Sequence, residues 1–247
     1  MSSRHSGLVR AVALTTLLLA AIALAAIVMG RGVDVAERGG DPRPASPTPS
    51  PPTADPPSVA PSPSPRLRAR IAWRKSRALG LPYAGRLVRG VRLPASGEGF
   101  VTWDPIRHRT PNRPWRRHGT DRLVRLILRV ARGYAAAHPR APRLLVGDLS
   151  RPRGGDFGVR YGGIGHSTHQ NGLDADIYLP RRDGGERAPR RVSQVDRERA
   201  QELVDRFLRA GAAVVLVGPH TGLKGPAGVV KPWPNHDDHL HVRLPAR

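Results

Sequence analysis

Hydrophobic positions recur along this chain with two different periods. After Asp121 they fall at Leu123, Ile127, Val130, Ala131 and Tyr134, the spacing of one helical face. Thr120 or Asp121 supplies a starting cap and His138-Pro139 stops the run, so a helix is predicted between them. A second helix is predicted from the stripe Leu203, Val204, Phe207 and Leu208, with Ser193 and Asp196 as its capping signature and Gly211 suited to its C-terminal end. Period-two runs and short apolar runs predict strands over residues 143–146, 173–179, 212–217 and 240–244, with Gly and Pro crowding the segments between. Few strands, two helices and long loops imply an α+β domain with a small, mostly antiparallel sheet and flanking helices. No internal repeat is evident.

Two N-terminal segments break this pattern. Residues 11–29 contain no charge and only two hydroxyls, Thr15 and Thr16, and stand between Arg10 and Gly30-Arg31. Their length is nearer the ~20 residues of a membrane span than the ~7 to 15 of a signal-peptide core, and no clean small-x-small cleavage site follows. The expectation is an uncleaved membrane anchor within residues 1–30; a cleaved signal segment is the alternative. Both export the remainder to the cell envelope or periplasm. Residues 31–65 follow, and the part from 41 to 65 holds eleven prolines. It reads as an extended, disordered spacer. A globular domain is expected over residues 66–247.

Composition narrows the chemistry. The 247 residues include no Cys, which excludes disulfides, thiolate metal sites and a Cys nucleophile, so a metal would rest on His and carboxylates. The net charge of +22 rests on 41 Lys+Arg, only three of them Lys, scattered along the chain without interleaved aromatic residues. Nucleic acid is therefore not the expected partner.

The chain has ten His, and five lie in two short stretches, His166 and His169 in one and His236, His239 and His241 in the other. On a strand, His239 and His241 share one face while Leu240, Val242 and Leu244 take the other. Likewise Leu173, Ala175, Ile177 and Leu179 alternate with Asp174, Asp176 and Tyr178, so both carboxylates project from the polar face. Adjacent strands of this kind meet as a His/Asp/His cluster. Two imidazoles and one carboxylate suit a single zinc ion with one position left for water. HxH alone also arises on surface strands, and a carboxylate-bonded His is common in cores; the joint occurrence is what points to zinc. Alternation does not choose between Asp174 and Asp176.

Three stretches carry a family resemblance: GDLSRPRGG (147–155), HSTHQNGLDADIYL (166–179) and HDDHLHVRL (236–244). They resemble the penicillin-insensitive murein endopeptidases, and residues 76–100 with His118-Gly119 resemble that family's N-terminal part, so the resemblance spans about 74–247. The resemblance implies a small antiparallel sheet holding zinc, with His169, Asp176 and His241 as ligands, His239 as catalytic base, and His166 and His236 lining the site. The substrate it implies is cross-linked peptidoglycan, cut at the D-alanyl to meso-diaminopimelyl amide between stem peptides. The chain departs from the better-known members in lacking cysteines and in carrying the apolar segment and Pro-rich spacer. Two other functions stay open: a D,D-carboxypeptidase or other stem-peptide peptidase, and a non-catalytic zinc-bearing wall-binding protein.

Ser150 and Ser167 stand in no GxSxG elbow, which argues against a serine hydrolase. Asp148 is expected to fix its loop by local hydrogen bonds. Gly154, Gly155, Gly158, Gly162, Gly163 and Gly165 form no phosphate-binding fingerprint and are expected to make a mobile loop beside the cleft. Arg151 and Arg153 suit either solvent or the carboxylates of stem peptides.

Overall fold

The computed structural model of the protein describes residues 70–158 and 167–246. Along them run β1 (Arg77–Leu81), β2 (Ala84–Val88), β3 (Val91–Arg92), β4 (Ser96–Gly97), β5 (Phe100–Thr102), β6 (His118–Gly119), α1 (Asp121–Ala137), β7 (Leu144–Val146), β8 (Asp174–Tyr178), α2 (Arg197–Arg209), β9 (Val214–Val217), β10 (Val230–Pro232) and β11 (His239–Arg243). Seven strands form one sheet in the order β10-β9-β11-β8-β7-β5-β4, and β1-β2 and β3-β6 make two small ribbons. The α+β class is as expected. The large sheet is mixed, with parallel pairings at β10-β9 and β5-β7 and antiparallel pairings elsewhere.

Both predicted helices form where the apolar stripe says they should. The Thr120 hydroxyl accepts from the Leu123 amide at 3.2 Å and starts α1. Ser76, far away in sequence, accepts from the Asp121 amide and donates to its carboxylate, both at 2.6 Å. At α2 the predicted cap moves: Ser193 lies in a separate 3-10 turn (Val192–Gln194), and Asp196 caps the helix by accepting from the Arg199 amide at 3.1 Å. The reason is Val195, fully buried in extended backbone between turn and helix, which leaves Ser193 too far back to reach the first helical turn. Gly211, at φ +98°, follows α2 as the left-handed residue that its end requires.

The alternation read from β8 and β11 divides the sheet into two unlike faces. Leu173, Ala175, Ile177 and Leu179, with Leu240, Val242 and Leu244, pack in one core with Leu123 and Ile127 of α1 and Leu203 and Phe207 of α2. The other face carries Asp174, Asp176, His239 and His241, beside a smaller cluster of Val101, Trp103, Leu145 and Tyr178. Helices therefore cover one face only, and the chemistry-bearing side chains occupy the other. The strands that escaped the sequence reading are mostly two or three residues long and rich in Gly and Arg, so no period-two pattern marks them.

The residues from 1 to 69, which include the expected anchor and spacer, lie outside the described residues. Among the described residues no helix is long and apolar enough to cross a membrane.

A buried ion pair fixes the second face. Arg116, fully buried, grips Asp148 through Nε at 2.6 Å and again through its terminal amine, and Asn112 donates to the same carboxylate at 3.0 Å. The Asp148 carbonyl in turn accepts from the Asp176 amide at 2.9 Å. The expectation of purely local bonds at Asp148 is thus corrected: burial demands a charged partner, and the partners come from a loop 32 and 36 residues upstream. Replacing Arg116 with Met leaves a buried carboxylate without its counter-charge. The expected loss is about 3 to 5 kcal/mol in denaturant unfolding.

Candidate metal centre

The site is assembled by strand register. In the antiparallel β8-β11 pair His241 stands opposite Asp176, Arg243 opposite Asp174 and His239 opposite Tyr178. His241 Nδ1 lies 3.2 Å from Asp176 Oδ1, and His169 Nε2 lies 3.3 Å from the same oxygen. Ligands on a tetrahedral ion with bonds of about 2.0 to 2.1 Å stand about 3.3 Å apart, so these separations fit one shared cation. His169, Asp176 and His241 are all buried, and their candidate ligand atoms lie within 4.8 Å of one another. The cluster expected from the sequence is therefore present, and its geometry selects Asp176 over Asp174 as the shared carboxylate.

Asp174 has a different position. It accepts from His241 Nε2 at 2.7 Å and from Arg243 Nε at 2.6 Å. A histidine whose far nitrogen donates to a carboxylate has its near nitrogen fixed as the unprotonated, ligating one, the usual support of a metal-binding imidazole. The two carboxylates thus lie on the two edges of one ring. Burial lowers the His241 pKa, but the bonds to Asp174 and Asp176 outweigh it and push the pKa up to about 9. Burial raises and His241 lowers that of Asp174, with a net fall. The centre is an electrostatic well for a cation.

His169 reaches the well from a loop, and at some cost. Its backbone has φ +71°, a left-handed conformation rare outside Gly. Neighbouring bonds hold it there: Gln170 N donates to Pro82 O at 2.9 Å, Asn171 Nδ2 donates to Gly80 O at 3.2 Å, and Gly155 N donates to Gln170 O at 2.9 Å. The β1-β2 hairpin tip and the turn at Gly154 thereby clamp the His169 turn from both sides. Gly154 itself has φ +75°, and a Cβ there would collide with the Gln170 carbonyl. The mobile loop expected from the glycines is thus corrected at 154 and 155, which are hydrogen-bonded into the site's frame. Residues 159–166, with Gly162, Gly163, Gly165 and the predicted site residue His166, lie outside the described residues.

His239 stands beside the cluster. Its Nδ1 bonds the Asp238 carboxylate at 2.6 Å, and its Nε2 turns toward Asp176 Oδ1 at 3.8 Å. Burial lowers its pKa, yet Asp238 and Asp176 raise it further, so the net shift is upward. His236 stacks on His239 with ring centroids 4.7 Å apart and donates Nδ1–H to the Pro234 carbonyl at 2.7 Å. Burial draws its pKa down. Tyr178 packs on the other side of His239 at 5.5 Å. A cavity of about 690 Å³ begins at Tyr178 and Asp238 and extends past Trp103, Arg190 and Arg191.

Several contributors carried no sequence signal of their own. Arg116 lies over the Phe157 ring at 4.6 Å, and Phe157 meets the His169 ring edge-on at 6.3 Å, a contact between three segments distant in the chain. Asp238 was adjacent to His239 and so could have been read as its partner. Asp174 was legible as a companion of Asp176 on the polar face. Ser150 is fully buried and exchanges backbone bonds with His118, which gives it a structural place.

The left-handed backbone at His169 can be tested without any activity measurement. His169→Gly and His169→Ala both delete the imidazole, but only Ala keeps the Cβ strain. In metal-stripped protein the Gly variant is expected to be more stable by about 1 kcal/mol in denaturant unfolding, the reverse of the usual Ala-over-Gly order.

The family model described as penicillin-insensitive murein endopeptidase matches residues 78–215, a segment that contains His169 and Asp176 and ends before β11. The protein named penicillin-insensitive murein endopeptidase from Haemophilus influenzae (strain ATCC 51907 / DSM 11121 / KW20 / Rd) is 27% identical over 197 residues, which cover 69% of this chain and 64% of that relative. With the family model matching over half of its length, the chain belongs to the penicillin-insensitive murein endopeptidase family.

Proposed function

We propose that the protein is a zinc-dependent peptidoglycan endopeptidase that hydrolyses the D-alanyl to meso-diaminopimelyl amides cross-linking stem peptides. The observation that carries this reading is the convergence of His169 Nε2, Asp176 Oδ1 and His241 Nδ1, with His239 beside them, in a chain of this family. Two imidazoles and a carboxylate are the donor set of a catalytic zinc site, and Asp174 supplies the outer carboxylate that such a site uses. Zinc held there supplies Lewis-acid polarisation of the scissile carbonyl and brings the pKa of a water toward about 7.

The chain's own residues supply the proton chemistry. With Nδ1–H donated to Asp238, His239 has Nε2 as its basic nitrogen, on the side that faces the cluster. It accepts the proton of the attacking water and returns one to the leaving amine nitrogen of the diaminopimelyl residue. Asp238 holds the ring and stabilises its protonated form. His236 packs on that ring. The cavity past Tyr178 and Trp103 gives the peptide an apolar wall, and Arg190 and Arg191 offer guanidinium groups to its carboxylates. Amide hydrolysis of this kind needs no serine nucleophile, so β-lactams leave it unaffected. Residues 11–29 anchor the protein to the membrane, and residues 31–65 space the catalytic domain away from it, in the cell envelope or periplasm.

The test is incubation with purified cross-linked muropeptides, with and without a chelator, and identification of products by mass. Conversion of dimers to intact monomers, abolished by chelator and restored by zinc, is expected. Release of free D-alanine alone indicates a carboxypeptidase, and no conversion indicates a wall-binding protein. Variants separate the roles. His241→Ala and Asp176→Asn are expected to lose metal in elemental analysis, and hydrolysis with it. Asp174→Asn should weaken metal affinity by about 10- to 100-fold. His239→Ala should keep the metal and slow hydrolysis by about 100- to 10,000-fold. Loss of metal in His239→Ala with retention in His241→Ala overturns the assignment.

A further inference from the structure

A second cavity, of about 440 Å³, is lined by Arg74, Arg89, Arg92, Arg153 and His118, with no carboxylate in its wall. Elsewhere the chain spends its scarce acidic residues on pairing arginines, as at Arg116, Arg143, Arg181 and Arg243. None of Arg74, Arg89, Arg92 and Arg153 has a carboxylate partner among the described residues. Like charges gathered around one concavity repel, and with all four arginines exposed an anion can reach them from solvent.

The convergence is held by backbone. Arg92 of β3 and His118 of β6 stand directly opposite each other. His118 exchanges backbone bonds with Ser150 at 3.0 and 2.7 Å, and the Arg153 carbonyl accepts from the Leu87 amide at 2.9 Å. Arg89 sits in the tight β2-β3 connection at φ +55°, a left-handed backbone unusual for Arg. His118 registers the resulting field: burial and the neighbouring Arg92 and Arg117 outweigh a backbone hydrogen bond at Trp115 and press its pKa down to about 4, so it is neutral.

We propose that this cavity binds a multiply charged oxyanion of the phosphate class, a phosphomonoester or pyrophosphate group held by the guanidinium forks of Arg89, Arg92 and Arg153 with Arg74 at the rim. Guanidinium groups match the paired oxygens of phosphate, and four cations exceed what one carboxylate would neutralise. The site lies outside the metal centre and does not depend on the reaction carried out there.

The group has two sources, a soluble phosphate or a lipid headgroup, and two titrants distinguish them. The full chain in non-ionic detergent, stripped of metal with the neutral chelator phenanthroline, is titrated calorimetrically with inorganic pyrophosphate and with water-soluble dihexanoyl phosphatidic acid at ~150 mM NaCl, near physiological ionic strength. One saturable site per chain is expected, with tighter binding of whichever titrant resembles the source. Each lost charge-assisted contact should weaken binding about tenfold or more, so Arg89→Gln with Arg92→Gln should cost about 100-fold. Arg89→Lys with Arg92→Lys, which keeps the charge and removes the forks, should fall between. Arg129→Gln with Arg132→Gln, on the exposed side of α1, should leave affinity unchanged. Absence of saturable binding by either titrant, an unchanged affinity in the Arg89/Arg92 glutamine variant, or an equal loss in the α1 control overturns the proposal.

Discussion

The register of β8 against β11 is the constraint on which this structure depends. It sets His241 opposite Asp176 while Ile177, Ala175, Leu240 and Val242 enter the core on the other face. A slip of one residue would carry the carboxylates and imidazoles into the apolar layer and the aliphatic side chains out of it. The same burial that stabilises the sheet therefore fixes the positions of the candidate ligands. The core beneath α1 and α2 is the rigid base of the site.

Register places only two of the three candidate ligands, and the third depends on a frame of hydrogen bonds. His169 adopts its left-handed backbone because the β1-β2 hairpin and the turn at Gly154 hold the residues that follow it. Arg116 joins both parts: it is paired with Asp148, whose carbonyl bonds the Asp176 amide, and it lies over Phe157, which touches the His169 ring. One buried guanidinium thus supports a candidate ligand on a strand and another on a loop. Such strain and buried charge persist only where the surrounding structure over-determines them.

Electrostatics divides the molecule in a similar way. With 19 acidic residues against 41 basic ones, carboxylates are scarce, and Asp148, Asp174 and Asp176 are buried at or beside the centre. The centre is a negative well inside a strongly basic protein. Its His and Asp side chains attract a cation at close range, while the outer surface attracts anions at long range. The two fields do not cancel, because burial lets the inner charges interact with little screening.

The sequence by itself determined what short-range periodicity can encode. The stripes of α1 and α2 gave both helices, and alternation in residues 173–179 and 240–244 gave two strands with a liganding and an apolar face. It also marked His169, Asp174, Asp176, His239 and His241 as the chemical inventory. Alternation left Asp174 and Asp176 equivalent, since residues two apart share a face. Only tertiary structure separated them, by placing His241 Nδ1 toward one and Nε2 toward the other. It alone decided the Asp196 cap, the mixed sheet with its two- and three-residue strands, the Arg116–Asp148 pair and the arginine-lined cavity. Apart from the cap, which buried Val195 shifts by three residues, each of these joins segments tens of residues apart or rests on strands too short for a period, and neither kind of contact leaves a local pattern in the chain.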